Sequence, residues 1–169
     1  AVSDDPQVAA SDERQRIVLV DDTLKALQDL ARCHRRALGI PILAISGSNG
    51  KTTTKELVSR VLAERFEVYA TRGNLNNHIG VPLTLLRLRE THRLAVVELG
   101  MNHPGEIARI AAMTKPTVAL VNNAQREHQE FMGTVEAVAR ENGEVIAALR
   151  ADGVAVFPSD DAYTFVWRE

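Results

Sequence analysis

The chain has 169 residues, 45% of them hydrophobic and 25% charged, with a formal net charge of -2. These are ordinary globular values; they exclude a disordered tail and argue against wholesale nucleic-acid binding, which needs a basic surface. The longest apolar runs, "TVALV" and "GVAVF", fall far short of the roughly 18 residues of a membrane-spanning helix, and the acidic start "AVSDDPQVAASDERQR" lacks the regions of a secretion signal.

One modest domain in the cytoplasm is therefore expected, without membrane insertion and monomeric. The single Cys33 has no metal-ligand spacing around it and reads as a thiol on a helix face. Residues 1–16 show no sustained apolar period and read as a loop or as the edge of a preceding unit. "IVLV" at 17–20 reads as a short strand. Asp22 then suits the N-cap of a helix whose Leu24, Leu27, Leu30, Ala31 and Leu38 recur at helical spacing, and Gly39 suits its stop.

From there the pattern alternates. Strand "PILAIS" precedes a helix after Lys51; strand "FEVYAT" precedes a Gly/Asn loop and a short helix entered through Pro82; strand "LAVVEL" precedes a helix from about Gly105 to Met113. Strand "TVALV" follows, a long helix starts near Thr134, and "GVAVF" closes the series. Such alternation predicts an α/β fold, with right-handed crossovers and a mostly parallel sheet carrying helices on both faces.

Ligands of such sheets bind beyond the carboxyl ends of the strands. Those positions hold "GSNGKTT", "RGNLNNHIG", "ELGMNH" and "NNAQREHQEF". In the first, a glycine-rich turn between strand and helix presents backbone N–H groups and the positive end of a helix dipole to a polyphosphate. Gly47, Ser48, Asn49, Gly50, Lys51, Thr52 and Thr53 form this candidate phosphate loop. Lys51 supplies a mobile charge, and the Thr52 hydroxyl is a hard oxygen ligand for Mg2+. Ile45 stands where the common phosphate-loop pattern has its first glycine. An ordinary strand-to-helix turn with a solvated lysine is the alternative; the surrounding strand ends favour a nucleoside triphosphate, ATP.

"SGSNGKTTTKE", "GNLNNHIGVPLTLL", "VVELGMNHPGEI" and "LVNNAQREHQEF" together resemble, in order and spacing, the central domain of the Mur ligases, from about Leu19 onward. Within the family the resemblance is to the branch that joins D-alanyl-D-alanine to UDP-N-acetylmuramoyl-tripeptide, the two substrates it implies here. It further implies a P-loop ATPase fold, residues 1–38 as the tail of an N-terminal substrate domain with a connecting helix, and 39–169 as the front of the ATP-binding domain. The stretches holding adenine and the amine substrate would lie beyond Glu169, so the isolated chain is expected to bind ATP weakly and to be inactive.

By the same resemblance, the tripeptide carboxylate attacks the γ-phosphate, and the amine displaces the resulting acyl phosphate. Lys51, Glu98 and His128 are the implied catalytic groups; Thr52, Glu98 and His128 the implied metal contacts; Asn76 and Asn77 the implied substrate contacts, with a turn-forming role as the alternative for the asparagines. One departure stands out: the family usually has a carbamylated lysine binding a second Mg2+ where this chain has Asn142, and Glu141 and Glu144 are its acidic neighbours. Another Mur ligase, a folylpolyglutamate-synthase-like ligase and a noncatalytic nucleotide-binding module remain open at this point.

Overall fold

The computed structural model describes residues 2–10, 17–126 and 132–168. At the amino end, β1 (Val2–Ser3) and α1 (Pro6–Ala10) precede β2 (Val18–Leu19), which pairs with β1 in parallel. Residues 1–16 were expected to be a loop or the edge of a preceding unit, and neither β1 nor α1 was anticipated. A two-residue strand carries no period to detect, and this one exists only because β2 offers it an edge. The next helix, α2 (Thr23–Leu38), has the expected caps: Asp22 accepts the N–H of Lys25 at 2.9 Å, and Gly39 closes the helix at φ 63° with its N–H on the Arg35 carbonyl.

Five strands form the main sheet: β3 (Ile42–Ser46), β4 (Val68–Ala70), β5 (Leu94–Glu98), β6 (Val118–Val121) and β7 (Val154–Val156). All pair in parallel, in the order β4-β5-β3-β6-β7. The connecting helices are α3 (Lys51–Ala63), α4 (Gly80–Leu86), α5 (Glu106–Thr114) and α6 (Val135–Ala147), and α7 (Thr164–Trp167) follows β7. Pro82 sits in the first turn of α4, where its missing N–H costs nothing. No helix among the described residues is long and apolar enough to cross a membrane.

The α3 crossover from β3 to β4 runs across the sheet opposite to the other three, so right-handed connections put α3 on one face and α4, α5 and α6 on the other. Ile42, Ala44 and Ser46 point to the α6 side, as the Ser46 hydroxyl shows by donating to the Asn142 carbonyl at 2.8 Å. Ile107, Ile110, Met113, Val138 and Val145, all fully buried, pack there. On the α3 side the register sets Ile45 beside Glu98 and beside Leu120, and Leu120 beside Val156. Cover by α3 ends before β7, where Val154 and Val156 are exposed.

β3 is the strand from which the chain departs in one direction and past which it later returns in the other. Its carboxyl end therefore lies between those of β5 and β6, and this is the switch point at which open α/β sheets bind ligands.

Candidate active site

The segment from Gly47 to Gly50 turns the end of β3 into α3. Gly47 has φ +126° and Gly50 φ +76°, backbone conformations that side chains rarely adopt. A Cβ on Gly47 would come within 2.8 Å of the Asn122 Cβ and 2.9 Å of the Asn122 N, so the loop lies directly on the residues after β6.

Those residues brace it. The Asn49 N–H donates to Asn123 Oδ1 at 3.0 Å, the Asn49 carboxamide to Gln125 at 2.7 Å, and Asn122 Nδ2 to the Asn49 carbonyl at 2.7 Å. The Ser48 N–H donates to the Asn123 carbonyl at 3.1 Å, and the Gln125 N–H to the Ser48 hydroxyl at 2.9 Å. The Gly47 N–H is spent on Asn142 Oδ1 at 2.8 Å. Of the seven residues assigned to the phosphate loop, Gly47, Ser48 and Asn49 thus use their N–H groups on the protein itself. The first turn of α3 starts with N–H groups that have no acceptor in their own helix, and those of Lys51, Thr52 and Thr53 are the donors suited to an anion.

Lys51 Nζ donates to the carbonyls of Gly47, at 2.5 Å, and Ser48, at 3.1 Å. The lysine thus folds back over the loop it is meant to charge, and a phosphate would have to draw it off two neutral acceptors. The Thr52 hydroxyl donates to Glu98 Oε2 at 3.0 Å, which joins the start of α3 to the end of β5. Glu98 is only 2% exposed. Its other oxygen accepts from Asn76 Nδ2 at 2.8 Å, and its backbone N–H donates to Thr71 Oγ1.

Asn76 is pinned in turn: its carbonyl accepts the Gly100 N–H at 2.8 Å, and a Cβ on Gly100 would strike its carboxamide at 2.9 Å. Asn77 Oδ1 accepts the N–H groups of Ile79, at 3.1 Å, and Gly80, at 2.8 Å, and so starts α4. The alternative considered for these asparagines, a turn-forming role, is therefore realised in the Asn77 oxygen, and the residue as a whole is exposed. His128 lies outside the described residues.

Thr52 and Glu98 present two hard oxygens on adjacent elements, and Mg2+ is commonly held by one or two carboxylates together with substrate phosphates. The pair therefore fits one Mg2+. No group of three or more His, Cys, Asp or Glu side chains suited to a metal occurs among the described residues, so a bound nucleotide would have to complete the coordination. The helix-borne second site does not fit. Asn142 is 1% exposed with its oxygen on Gly47, and Glu141 is turned to the start of α5, accepting the N–H groups of Gly105 at 2.9 Å and Ile107 at 2.8 Å. Each oxygen of these two side chains already accepts a backbone N–H.

Past β5, Glu106 accepts the N–H groups of Asn102 at 2.6 Å and His103 at 3.1 Å. Burial works to raise its pKa, but these hydrogen bonds, with the charges of His103 and His78, hold the carboxyl below its ordinary range. Two clefts, of 480 Å³ against Gly143 and Trp167 and of 470 Å³ among Arg35, Arg36, Lys115 and Arg150, share no residue with the phosphate loop.

Lys55 escaped the sequence reading. It is 1% exposed, donates to the Thr71 carbonyl at 2.8 Å and lies 3.9 Å from Glu98. Its position four residues after Lys51, hence on the same helix face, was the available signal.

This chemistry has close counterparts. Residues 45–169 match the model of the Mur ligase middle domain. The chain belongs to the Mur ligase family. It is 40% identical over 161 residues to the UDP-N-acetylmuramoyl-tripeptide--D-alanyl-D-alanine ligase of Bacillus subtilis, an alignment covering 95% of this chain and 35% of the relative. To the enzyme of the same name from Escherichia coli it is 40% identical, over 89% of this chain and 33% of the relative. Among solved structures it is similar to MurF from Acinetobacter baumannii, with TM-score 0.91, 35% identity and coverage of 99% of this chain and 37% of that one. It is likewise similar to MurF ligase from Thermotoga maritima in complex with ADP, with TM-score 0.81, 33% identity and coverage of 88% and 35%. Escherichia coli FolC, at 16% identity and TM-score 0.59 over 86% of this chain and 48% of that one, shares the fold alone. The chain spans about a third of the length of the curated relatives it matches.

Proposed function

We propose that this chain is the nucleotide-handling part of an ATP-dependent ligase that adds D-alanyl-D-alanine to UDP-N-acetylmuramoyl-tripeptide in the cytoplasm. Residues 1–38 are taken as the end of the substrate domain with its connecting helix, and 39–169 as the front of the ATP-binding domain. The observation that carries the reading is the 3.0 Å contact between Thr52 and Glu98, which unites a phosphate loop and a buried carboxylate at the switch point of the sheet. The similarity to ligases of that name favours this branch over other amide-forming members of the family.

The chemical problem is to bring a carboxylate up to a polyphosphate, two groups that repel each other. Lys51, released from its loop carbonyls, meets the phosphates, and the N–H groups of Lys51, Thr52 and Thr53 hold oxygens at the positive end of α3. Thr52 and Glu98 would hold a Mg2+, which would supply further neutralisation of phosphate charge. Asn76 fixes the Glu98 carboxylate, and Asn77 presents an amide to the incoming substrate. His128 is carried over from the family as a metal contact near the incoming tripeptide carboxylate, whose oxygen attacks the γ-phosphorus to give an acyl phosphate and ADP. The amine of D-alanyl-D-alanine then forms the amide bond and expels phosphate.

The test is product formation. In the full-length protein, ADP and phosphate should appear only when ATP, UDP-N-acetylmuramoyl-tripeptide and D-alanyl-D-alanine are all supplied, in step with a new peptide bond. ADP release indifferent to the two peptide substrates would remove the ligase reading and leave a nucleotide-binding module.

A further inference from the structure

Lys55 is an almost fully enclosed cation on α3 that the proposed chemistry does not use. Its ammonium donates to the Thr71 carbonyl at 2.8 Å; it lies 3.0 Å from Glu56 Oε1 and 3.9 Å from Glu98 Oε2. Glu56 is the nearer carboxylate, but its side chain is 56% exposed and therefore screened by water, whereas the Glu98 side chain is 3% exposed. Thr71 closes the arrangement, since its hydroxyl accepts the Glu98 N–H while its carbonyl accepts Lys55. The lysine and the carboxylate are thereby held in fixed relation by the end of β4.

We propose that Lys55 is the resident counter-ion of Glu98, a positioning residue that keeps the carboxylate neutralised while the nucleotide site is empty and so makes divalent-cation capture depend on nucleotide. In the empty site the enclosed Lys55 ammonium stands 3.9 Å from Glu98, so a bare divalent cation approaching that carboxylate meets the repulsion of a fixed positive charge, against which the water-screened Glu56 offers little. A polyphosphate outweighs that charge and brings the metal with it. At close range and low effective dielectric, one unit charge is enough to change a cation's affinity by at least about tenfold. The inference rests on the reading of Thr52 and Glu98 as metal contacts.

Titration of the full-length protein, which includes the segments that hold adenine, with Mn2+, followed by electron paramagnetic resonance with and without ADP, tests it. Without nucleotide the wild type should take up Mn2+ only weakly. K55Q, which keeps a donor for the Thr71 carbonyl but removes the charge, should bind Mn2+ about tenfold more tightly. K55R should restore the wild-type value, and the K55Q/E98Q double variant should lose the gain. K55M serves as a second neutral variant, and thermal melting of each shows that it is folded. A purely structural lysine would lower the melting temperature and leave Mn2+ affinity where it was. Nucleotide-dependent uptake that E98Q abolishes but K55Q leaves unchanged overturns the counter-ion role alone. Uptake absent even with ADP, or indifferent to E98Q, overturns the metal assignment beneath it.

Discussion

Replacing Gly47 by alanine sets two penalties on one methyl group. The first is conformational: φ +126° lies outside even the small left-handed region open to L-residues. Holding a non-glycine residue in such a region costs about 1–3 kcal/mol. The second is steric: the new Cβ would meet the Asn122 Cβ at 2.8 Å, the Asn122 N at 2.9 Å and the Asn123 N at 3.0 Å. Two of these atoms are backbone, and the strand end that carries them is hydrogen-bonded to β3 through the Asn122 N–H and the Ser46 carbonyl, so they yield little. Forcing extra volume into a packed contact costs about 1–3 kcal/mol more. The expected loss is about 2–6 kcal/mol, a large share of a typical stability of about 5–15 kcal/mol. Gly73 is the internal control: its φ is +56°, within the left-handed region, and nothing lies within 4 Å of its Cβ position, so alanine there should cost only about 1–2 kcal/mol. Urea unfolding of the two variants measures the difference directly. A G47A protein as stable as G73A would refute the claim that the loop is seated on the residues after β6.

Other expectations follow from single contacts. Removing the Glu141 carboxylate strands the N–H groups of Gly105 and Ile107, so E141A should lose about 2–4 kcal/mol in the same unfolding assay. In the substrate-dependent assay, K51A should lower ADP formation by at least about a hundredfold, as expected when a donor to developing phosphate charge is lost; retained turnover would reject its role. The Glu106 carboxyl is held below its ordinary value of 4.5, so its contribution to stability is full above that pH and disappears as the pH falls through the lower folded value. The gap between wild type and E106Q should therefore be widest near neutrality and close in acid, by a small amount because the group is largely solvated. A gap that widened on acidification would contradict the assignment.

Much of the architecture could be read locally. Asp22, Gly39 and Thr134 mark helix ends through bonds to neighbours only a few residues away, and the five strands of the main sheet are short apolar runs between turn residues. The order of those strands is not local. Nothing in "PILAIS" says that β3 is central, and only the placement of β5 and β6 on either side of it makes its carboxyl end the switch point. The opening strand β1 and the final helix α7 were invisible for a related reason. The first needs β2 beside it, and the second is a single turn whose Trp167 is anchored by donating from Nε1 to the Ala139 carbonyl at 2.9 Å.

The same distinction divides the site. Lys51, Thr52 and Glu98 were legible because a phosphate loop and a strand-end carboxylate have recognisable neighbours in sequence. Asn142 and Glu141 were not, because a helix residue reveals its role only once the helix has a rotation about its axis. The resemblance put Asn142 where the family binds a second metal, and helical spacing turned Glu141, its neighbour, to a different face. In the folded chain one holds the first N–H of the phosphate loop and the other the start of α5. Helix α6 therefore ties together the loops that follow β3 and β5, which flank the groups proposed to meet phosphate and metal. Any motion of the phosphate loop on ligand binding must stretch the Gly47 to Asn142 bond or be carried through α6 to α5. That coupling depends on a side-chain amide filling the space between the two loops, and a lysine at this position, longer and without an acceptor for the Gly47 N–H, would remove it.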